Sequence, residues 1–328
     1  MSCQYSDMRT PDPLPPSLGP VFSLADARAL GVKRGRLEGE DLTAPFTGVR
    51  ARFDDSSTTD AIRLDDFEAR VRDVRTLARA YALRMRPVEF FSHHTAATLW
   101  GAPIAIPTPI AIDVCVFRGN AIPRSRGVRG HRADHRTTAM TTTRAGMRLA
   151  SPASVWASLG TLPVDDLVVV GDYFCRRWRH GFLRPKAGAP PLTTRERLAA
   201  ALAASRRVGA ARLREALELI REDSWSPRES LCRVVLVRAG LPEPLLNMDV
   251  DGPLGFLACV DMVYPRYRIA IEYQGQVHGT RYAKDIERIE GLRAAGWIVI
   301  QVTAALLSRP EELVARVRAA LVSRGWRP

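Results

Sequence analysis

The spacing of hydrophobic and polar residues predicts a chain that mixes helices and strands along its whole length. Apolar positions three and four residues apart predict an amphipathic helix over residues 65–85, and β-branched residues predict a strand over residues 110–117. A Ser-Pro pair at residues 151–152 predicts a further helix start. Residues 167–173 fit a helix or a buried strand, and residues 195–221 fit a helix with one interruption.

The first 60 residues have a different character. Residues 1–20 contain five prolines and few apolar side chains, which predicts a disordered leader. Ser23 is a candidate cap for a short helix that ends at Gly31, and a second short helix is predicted over residues 34–42 before a turn and a strand. Two short helices followed by strands fit a winged helix-turn-helix over residues 21–60 or an ordinary helical hairpin.

The pattern is sharpest after residue 224. Ser226, followed by a proline and Glu229, predicts a capped helix start. Strands are predicted over residues 245–250 and 256–263, with a hairpin turn at Asp251-Gly252. The later elements are a strand over 268–273, a helix over 281–295, a strand over 297–302 apolar enough to be buried on both faces, and a helix over 311–324. This αβββαβα order predicts an α/β fold (α+β overall) with a mixed sheet flanked by helices.

Length and composition add domain boundaries. With 328 residues, of which 46% are hydrophobic, the chain is expected to fold as several domains. We predict a middle α/β domain over residues 61–180, a basic loop and helical linker over 181–223, and a C-terminal domain over 224–328. No apolar run of about 18 residues and no secretion signal is found, and the five cysteines are scattered. We therefore expect a reduced, cytoplasmic protein that does not span a membrane.

The positive charge is concentrated in two arginine-rich segments. The formal net charge is +13, yet residues 118–148 carry +7 and residues 176–215 carry +9, so the rest of the chain sums to about −3. Such segments fit a solvated surface, or contact with a polyanion, either nucleic acid or an anionic membrane surface. Arginine outnumbers lysine in both, which favours bidentate phosphate contacts.

Three acidic residues occupy positions that suggest chemistry. Asp261 lies near the end of the second C-terminal strand, Glu272 near the end of the third, and Glu229 in the first helix. A strand carboxylate is costly to bury without a partner, and a pair of them suits Mg²⁺, which can polarise a phosphodiester and lower the pKa of an attacking water. Helix capping explains Glu229 equally well.

Residues 224–325 resemble the PD-(D/E)XK nuclease superfamily, most closely its bacterial very-short-patch-repair-like endonuclease domains. The resemblance is carried by residues 226–230, Asp261, Glu272, Gly275, His278, Asp285, Arg288 and Gly296-Trp297. It implies a restriction-endonuclease-like fold that cleaves DNA, with Asp261 and Glu272 as ligands of Mg²⁺ or Mn²⁺. It also implies that Glu229 supports the metal or the water, and that His278 acts as general base or orients the phosphate.

One position departs from that pattern. Gln274 stands where the superfamily has a lysine that stabilises negative charge during the reaction, so loss of activity is the alternative. Lys284 or Arg288 on the following helix could supply the cation, and with Arg281 they are candidates for nucleic-acid contact.

The N-terminal two thirds resemble AbiEi-type antitoxin and regulator proteins. The segments LADARALGVKRGRLEGEDLTAPFTGVRA, FFSHHTAATLWGAPI and RLASPASVWASLG carry this resemblance. It implies a DNA-binding winged helix-turn-helix, and hence a second hypothesis: a non-catalytic DNA-binding regulator or antitoxin with a cognate toxin. No oligomeric state is predicted. The candidate DNA contacts outside the C-terminal domain are Lys33, Arg34, Arg36, Arg124, Arg126, Arg129 and Arg132.

The sequence Ser92-His93-His94 predicts a helix start capped by the serine rather than a metal site, because no third ligand is evident.

Overall fold

The protein was analysed as a computed structural model that describes residues 12–52, 66–181, 184, 186–252, 255–274 and 282–327. The chain divides into two compact units, Met1–Ser158 and Leu159–Pro328. Three sheets and the helices around them make it a mixed α/β protein, so the predicted class is confirmed. Among the described residues, no helix is both long and apolar enough to cross a membrane.

The first unit begins with a small three-stranded sheet, in the order β1-β3-β2. Ser23 caps the first helix as predicted, because its Oγ accepts the Asp26 N–H at 3.0 Å. The second predicted helix is wrong in type: it is a five-residue 3₁₀ helix, Arg34–Glu38, since glycines within and after it disfavour an α-helix. The elements are β1 (Val21–Ser23), α1 (Leu24–Ala29), the 3₁₀ helix, β2 (Leu42–Thr43) and β3 (Val49–Arg52).

Part of the segment predicted as a disordered leader packs against this small sheet. Leu14 and Leu18 are buried against Phe22, Ala27 and Leu37. Two leucines four residues apart thus give the proline-rich segment an apolar face.

A five-stranded sheet, in the order β6-β5-β4-β8-β7, follows in the same unit. The long amphipathic helix and the 110–117 strand are found close to their predicted bounds, whereas β6, β7 and β8 fall in an arginine-rich stretch whose pattern predicted no strands. The elements are α2 (Asp66–Ala82), β4 (Glu89–Phe91), α3 (His93–Leu99), β5 (Ile112–Phe117), β6 (Val128–Ala133), β7 (Met140–Thr142), β8 (Arg148–Ala150) and α4 (Pro152–Ser158).

The second unit has a four-stranded sheet, in the order β12-β11-β10-β9, in which β11 and β12 are parallel and the other pairs antiparallel. The ambiguous 167–173 segment is helical. The helices are α5 (Val164–Cys175), α6 (Arg195–Ala203), α7 (Ala210–Leu219), α8 (Pro227–Arg238), α9 (Tyr282–Ala294), α10 (Ala304–Leu307) and α11 (Pro310–Ser323); the strands are β9 (Leu245–Gly252), β10 (Gly255–Tyr264), β11 (Ile269–Tyr273) and β12 (Ile298–Val302).

The interruption between α6 and α7 has a steric cause at Gly209. This residue has a φ of +68°, and a Cβ there would lie 1.7 Å from the carbonyl oxygen of Gly160. Only glycine satisfies both constraints.

Two details of the predicted sheet are corrected by the structure. Asp251 and Gly252 pair with Phe256 and Gly255, so they belong to the β9–β10 ladder and not to a turn. The strand β12 is not buried on both faces, because it lies at the sheet edge and only Val302 is fully buried.

Helices cover both faces of the four-stranded sheet. One core joins apolar residues of α8 and α11 to Met262, Ile269 and Ile271. The other core joins Leu292 of α9 to Val260, Val263 and Ala270, among others. The sheet is therefore the middle layer of an α/β/α arrangement, with its candidate acids between two helical layers.

A buried ion pair ties α5 to α8. The Arg233 side chain is completely buried, and its Nη2 donates to Asp172 Oδ2 at 3.0 Å while its Nη1 donates to Glu243 Oε1 at 3.2 Å. Ser230 Oγ and the Arg221 N–H also donate to Asp172, each at 2.7 Å. Burial raises the pKa of Asp172, and Arg233 is the main opposing influence.

We expect Asp172→Ala to lower the free energy of unfolding by about 3–5 kcal/mol, because it removes the fully buried carboxylate that faces the Arg233 guanidinium and leaves that charge only the half-buried Glu243. The matched control is Asp165→Ala on the same helix, which breaks a half-exposed pair with Arg238 and should cost at most about 1 kcal/mol. Urea denaturation of both variants measures this. Equal losses would contradict the role assigned to the buried pair.

Candidate functional site

Asp261 and Glu272 lie on the neighbouring antiparallel strands β10 and β11. The ladder pairs Val263 with Ala270 and Met262 with Ile271, so Asp261 and Glu272 are each the next residue beyond the last registered pair. The charge of Glu272 contributes to the raised pKa of Asp261, as expected of carboxylates that lie near each other. At this point of the ladder, Asp261 Oδ2 accepts the Tyr273 N–H at 2.8 Å, so a side chain takes over one backbone hydrogen bond of the strand pair.

Glu272 is buried and paired with a cation from α9. Arg288 Nη1 donates to Glu272 Oε1 at 2.5 Å, and Arg288 Nη2 lies 3.4 Å from Asp285 Oδ1. Arg288 therefore pairs with Asp285 on its own helix, and the same guanidinium reaches the strand carboxylate.

Glu229 is held at the start of α8 by its own capping arrangement. Ser226 Oγ accepts the Glu229 N–H at 3.2 Å, which confirms the predicted cap. The Glu229 carboxylate reaches back to the Trp225 N–H at 2.9 Å and accepts a second bond from Asn247 Nδ2 at 2.8 Å. These two bonds fix the orientation of Glu229.

Asn247 is a site residue that the sequence analysis missed. It lies on β9, between the residues that pair with Met262 and Val260 on either side of Asp261 in β10. Its backbone is left-handed, with a φ of +46°, which asparagine tolerates better than most residues. Its other amide bond goes to the Asp223 carbonyl at 2.7 Å. An asparagine inside a strand pattern was the available signal.

Strand faces change at this point of the sheet. Leu246 and Met262 belong to the core under α8 and α11, whereas Met248 and Val260 belong to the core under α9. Residues two apart in a regular strand share a face, so the alternation is interrupted at the Asn247–Asp261 step.

The electrostatics of the site disfavour full ionisation. Burial raises the pKa of Asp261 well above its usual value, and the Glu229 and Glu272 charges raise it further. Burial also raises the pKa of Glu272, although Arg288 opposes that shift. A bound cation would relieve both effects, because an opposite charge favours the ionised carboxylates.

The donor set fits a magnesium site with two protein ligands. Among the described residues, no group of three or more His, Cys, Asp or Glu side chains could hold a metal. Mg²⁺ is usually held by one or two carboxylates, with water and phosphate oxygens completing its shell, so Asp261 and Glu272 are sufficient protein donors. Glu229 is already engaged by Trp225 and Asn247.

The other predicted residues of the second unit are placed as follows. Gln274 lies just after β11, where its N–H donates to the Val302 carbonyl at 2.8 Å. His278 and Arg281 lie outside the described residues, and Lys284 lies on α9 with its side chain outside the description. Arg288 is thus the candidate cation whose contact with Glu272 is observed.

The candidate DNA contacts of the first unit differ in availability. Lys33 is exposed and Arg34 pairs with Glu38 at 3.0 Å. Arg36 is largely buried and forms a bidentate pair with Asp41, so its guanidinium joins the 3₁₀ helix to the residue before β2 instead of facing solvent. The remaining four, Arg124, Arg126, Arg129 and Arg132, are exposed.

No protein-family model matches the chain. A stretch of 115 residues, 34% of the chain, is 30% identical to uncharacterized protein Rv2248 of Mycobacterium tuberculosis strain H37Rv and to uncharacterized protein MT2308 of strain CDC 1551. The matched stretch spans 42% of the length of these curated relatives. This similarity assigns neither a family nor an activity.

We expect Asp261→Asn to raise the free energy of unfolding at pH 7.5 by about 0.5–2 kcal/mol, because it removes a disfavoured charge and keeps an acceptor for the Tyr273 N–H. A carboxyl whose folded pKa is raised contributes stability at low pH and loses it as the pH rises through that pKa. The gain should therefore shrink at pH 4.

Chemical denaturation at the two pH values measures this gain. The control is Asp251→Asn, at an exposed acid of the same sheet, which should change stability by less than about 0.5 kcal/mol. A destabilised Asp261→Asn variant at pH 7.5 would contradict the electrostatic account.

Proposed function

We propose that the protein is a metal-dependent endonuclease that hydrolyses phosphodiester bonds of DNA, and that residues 224–328 form a PD-(D/E)XK, very-short-patch-repair-like domain. The observation that carries this proposal is that Asp261 and Glu272 lie on neighbouring strands, just beyond the last registered pair of the β10–β11 ladder, with the pKa of both raised. The αβββαβα succession from α8 to α11, apart from the short α10, supports it. Buried like charges are costly, and they cluster at functional sites.

Each described acid has a distinct part in this proposal. Asp261 and Glu272 would hold Mg²⁺ or Mn²⁺, which polarises the phosphodiester and lowers the pKa of the attacking water. Glu229 is the third carboxylate of the site: Trp225 and Asn247 fix its orientation, and its charge acts on Asp261.

Two further features supply positive charge. The Arg288 guanidinium lies beside Glu272 and provides the cation that Gln274 does not. The arginine-rich segments bind the phosphate backbone, whose contacts add affinity without regard to base sequence.

The test is incubation of supercoiled plasmid with the full-length protein and Mg²⁺ or Mn²⁺. We expect the plasmid to be nicked or linearised, and a chelator to stop this cleavage. Asp261→Asn and Glu272→Gln should each lower the cleavage rate more than about 100-fold, since mutating even the residues that hydrogen-bond to metal ligands lowers metal affinity or activity about 10–100-fold. Asp251→Asn, folded and equally reduced in charge, should cleave normally.

A second function is favoured by one specific observation. Gln274 replaces the lysine and Arg288 already neutralises Glu272, so the carboxylates have a protein counter-ion without a metal. This arrangement suits a non-catalytic DNA-binding regulator or antitoxin with a cognate toxin. Plasmid that is shifted in a gel but never cut, with Asp261→Asn and wild type alike, would overturn the endonuclease proposal and support this one.

A further inference from the structure

The first unit contains a buried carboxylate, Asp113, that is remote in sequence from the candidate nuclease acids. Asp113 on β5 is buried, and its Oδ1 accepts from His131 Nε2 at 2.9 Å and from Arg129 Nη1 at 3.2 Å. The parallel β5–β6 register pairs Asp113 with Arg129 and Cys115 with His131, which sets these side chains on one face.

The carboxylate of this cluster is held ionised. Burial opposes its ionisation, but the His131 hydrogen bond and the neighbouring charges of His131, His93 and Arg129 keep the pKa of Asp113 below its usual value. Its Oδ2 also lies 3.4 Å from the Thr95 N–H. Because its Nε2 faces Asp113, His131 is left with Nδ1 for any other partner.

The His93 ring lies on the His131 ring, and the backbone of His93 has an unfavourable conformation. His93 has a φ of +47°, a left-handed value that costs free energy in residues other than glycine. Its ring stacks on His131 with 3.8 Å between centroids, and its Nδ1 lies 2.9 Å from Ser92 Oγ. Ser92 therefore occupies the N-cap of α3 but engages His93 instead of capping, which corrects the predicted cap.

The strain at His93 is not needed to satisfy Asp113. His131, Arg129 and Thr95 already donate to that carboxylate, and His93 donates nothing to it. An apolar ring would fill the same space without bringing two chargeable imidazoles into contact. Burial, followed by the charge of His131, lowers the pKa of His93 to about 4, so the His93 ring is neutral near neutral pH.

The cluster retains uncommitted polar atoms, of which His131 Nδ1 donates only when the ring is doubly protonated, because its Nε2 already donates to Asp113. In the described part of the chain, neither His93 Nε2 nor His131 Nδ1 makes a hydrogen bond, and Arg129 commits one of its five N–H groups to Asp113. The Arg129 side chain is 46% exposed and that of His131 is 22% exposed. Arg124, Arg126 and Arg132 are exposed on the same edge strand or the loop before it.

We propose that His93, His131 and Arg129, held by Asp113, form a binding site for a phosphate group. The Arg129 guanidinium offers donors to the oxygens of a phosphate, each imidazole adds a donor when its free nitrogen is protonated, and the surrounding segment carries +7. Asp113 is a positioning residue, because it fixes the tautomer and orientation of His131. The proposal does not rest on metal-dependent cleavage by the second unit.

The experiment follows histidine ring resonances of the full-length protein by NMR while inorganic phosphate replaces chloride at constant ionic strength. We expect two of the six histidines to shift saturably, and His131→Asn and Arg129→Gln each to weaken binding about tenfold. Arg75→Gln, which removes an exposed arginine of α2, should leave the affinity unchanged. Wild type that shows no saturable shift would overturn the proposal.

Substitution of His93 separates binding from folding. Asparagine tolerates the left-handed backbone, so His93→Asn should keep the unfolding midpoint and still weaken phosphate binding about tenfold. A lower midpoint with unchanged phosphate affinity would show that the ring only packs, and would overturn its role. A short DNA duplex that moves the same resonances identifies the bound group as backbone phosphate, whereas shifts with phosphate alone identify a small phosphate compound; both support the site.

Discussion

The buried ion pair between Arg233 and Asp172 is the interaction on which the second unit depends. A guanidinium without water must find its acceptors within the protein, and Asp172 and Glu243 supply them from separate segments. Hydrophobic residues can often replace such pairs at little cost, whereas removing one partner leaves the other charge buried. The pair therefore disfavours any arrangement that separates α5 from α8, the helix that carries Glu229 in its first turn.

At the carboxylate site, the free-energy cost of burying acids opposes the use of those acids as ligands for a cation. Asp261 and Glu272 would each be easier to bury as amides, yet the fold keeps both on the neighbouring strands β10 and β11. Arg288 and the Tyr273 N–H offset part of this cost. The structure thus tolerates the acids without balancing their charge fully, which is the condition in which an added cation is attracted.

Local signals in the sequence predicted much of the fold. The caps at Ser23 and Ser226, and the amphipathic helix that became α2, follow from residue types a few positions apart. The edge strand β6 was missed because exposed arginines replace the apolar alternation of a half-buried strand. The site was predictable only in part: two strand acids can be read from sequence, whereas the contact of Arg288 with Glu272 depends on how α9 packs.

The sequence also contained no local sign of the cluster around Asp113. Its members come from three elements, and only the sheet register brings them together. The adjacent histidines His93 and His94 were predicted only as part of a helix start, because the partner that His93 contacts, His131, lies far away in sequence on β6.

Where the alternation is interrupted at Asn247 and Asp261, charged groups on both sides of the sheet influence the same carboxylate. Glu229 comes from the layer on one side and Arg288 from the layer on the other, yet both act on the Asp261 carboxylate. An unbroken ladder would insulate the two helical layers with apolar side chains. Protonation of Asp261, or a cation bound beside it, therefore changes the electrostatic environment of a charged group in each of the two helical layers.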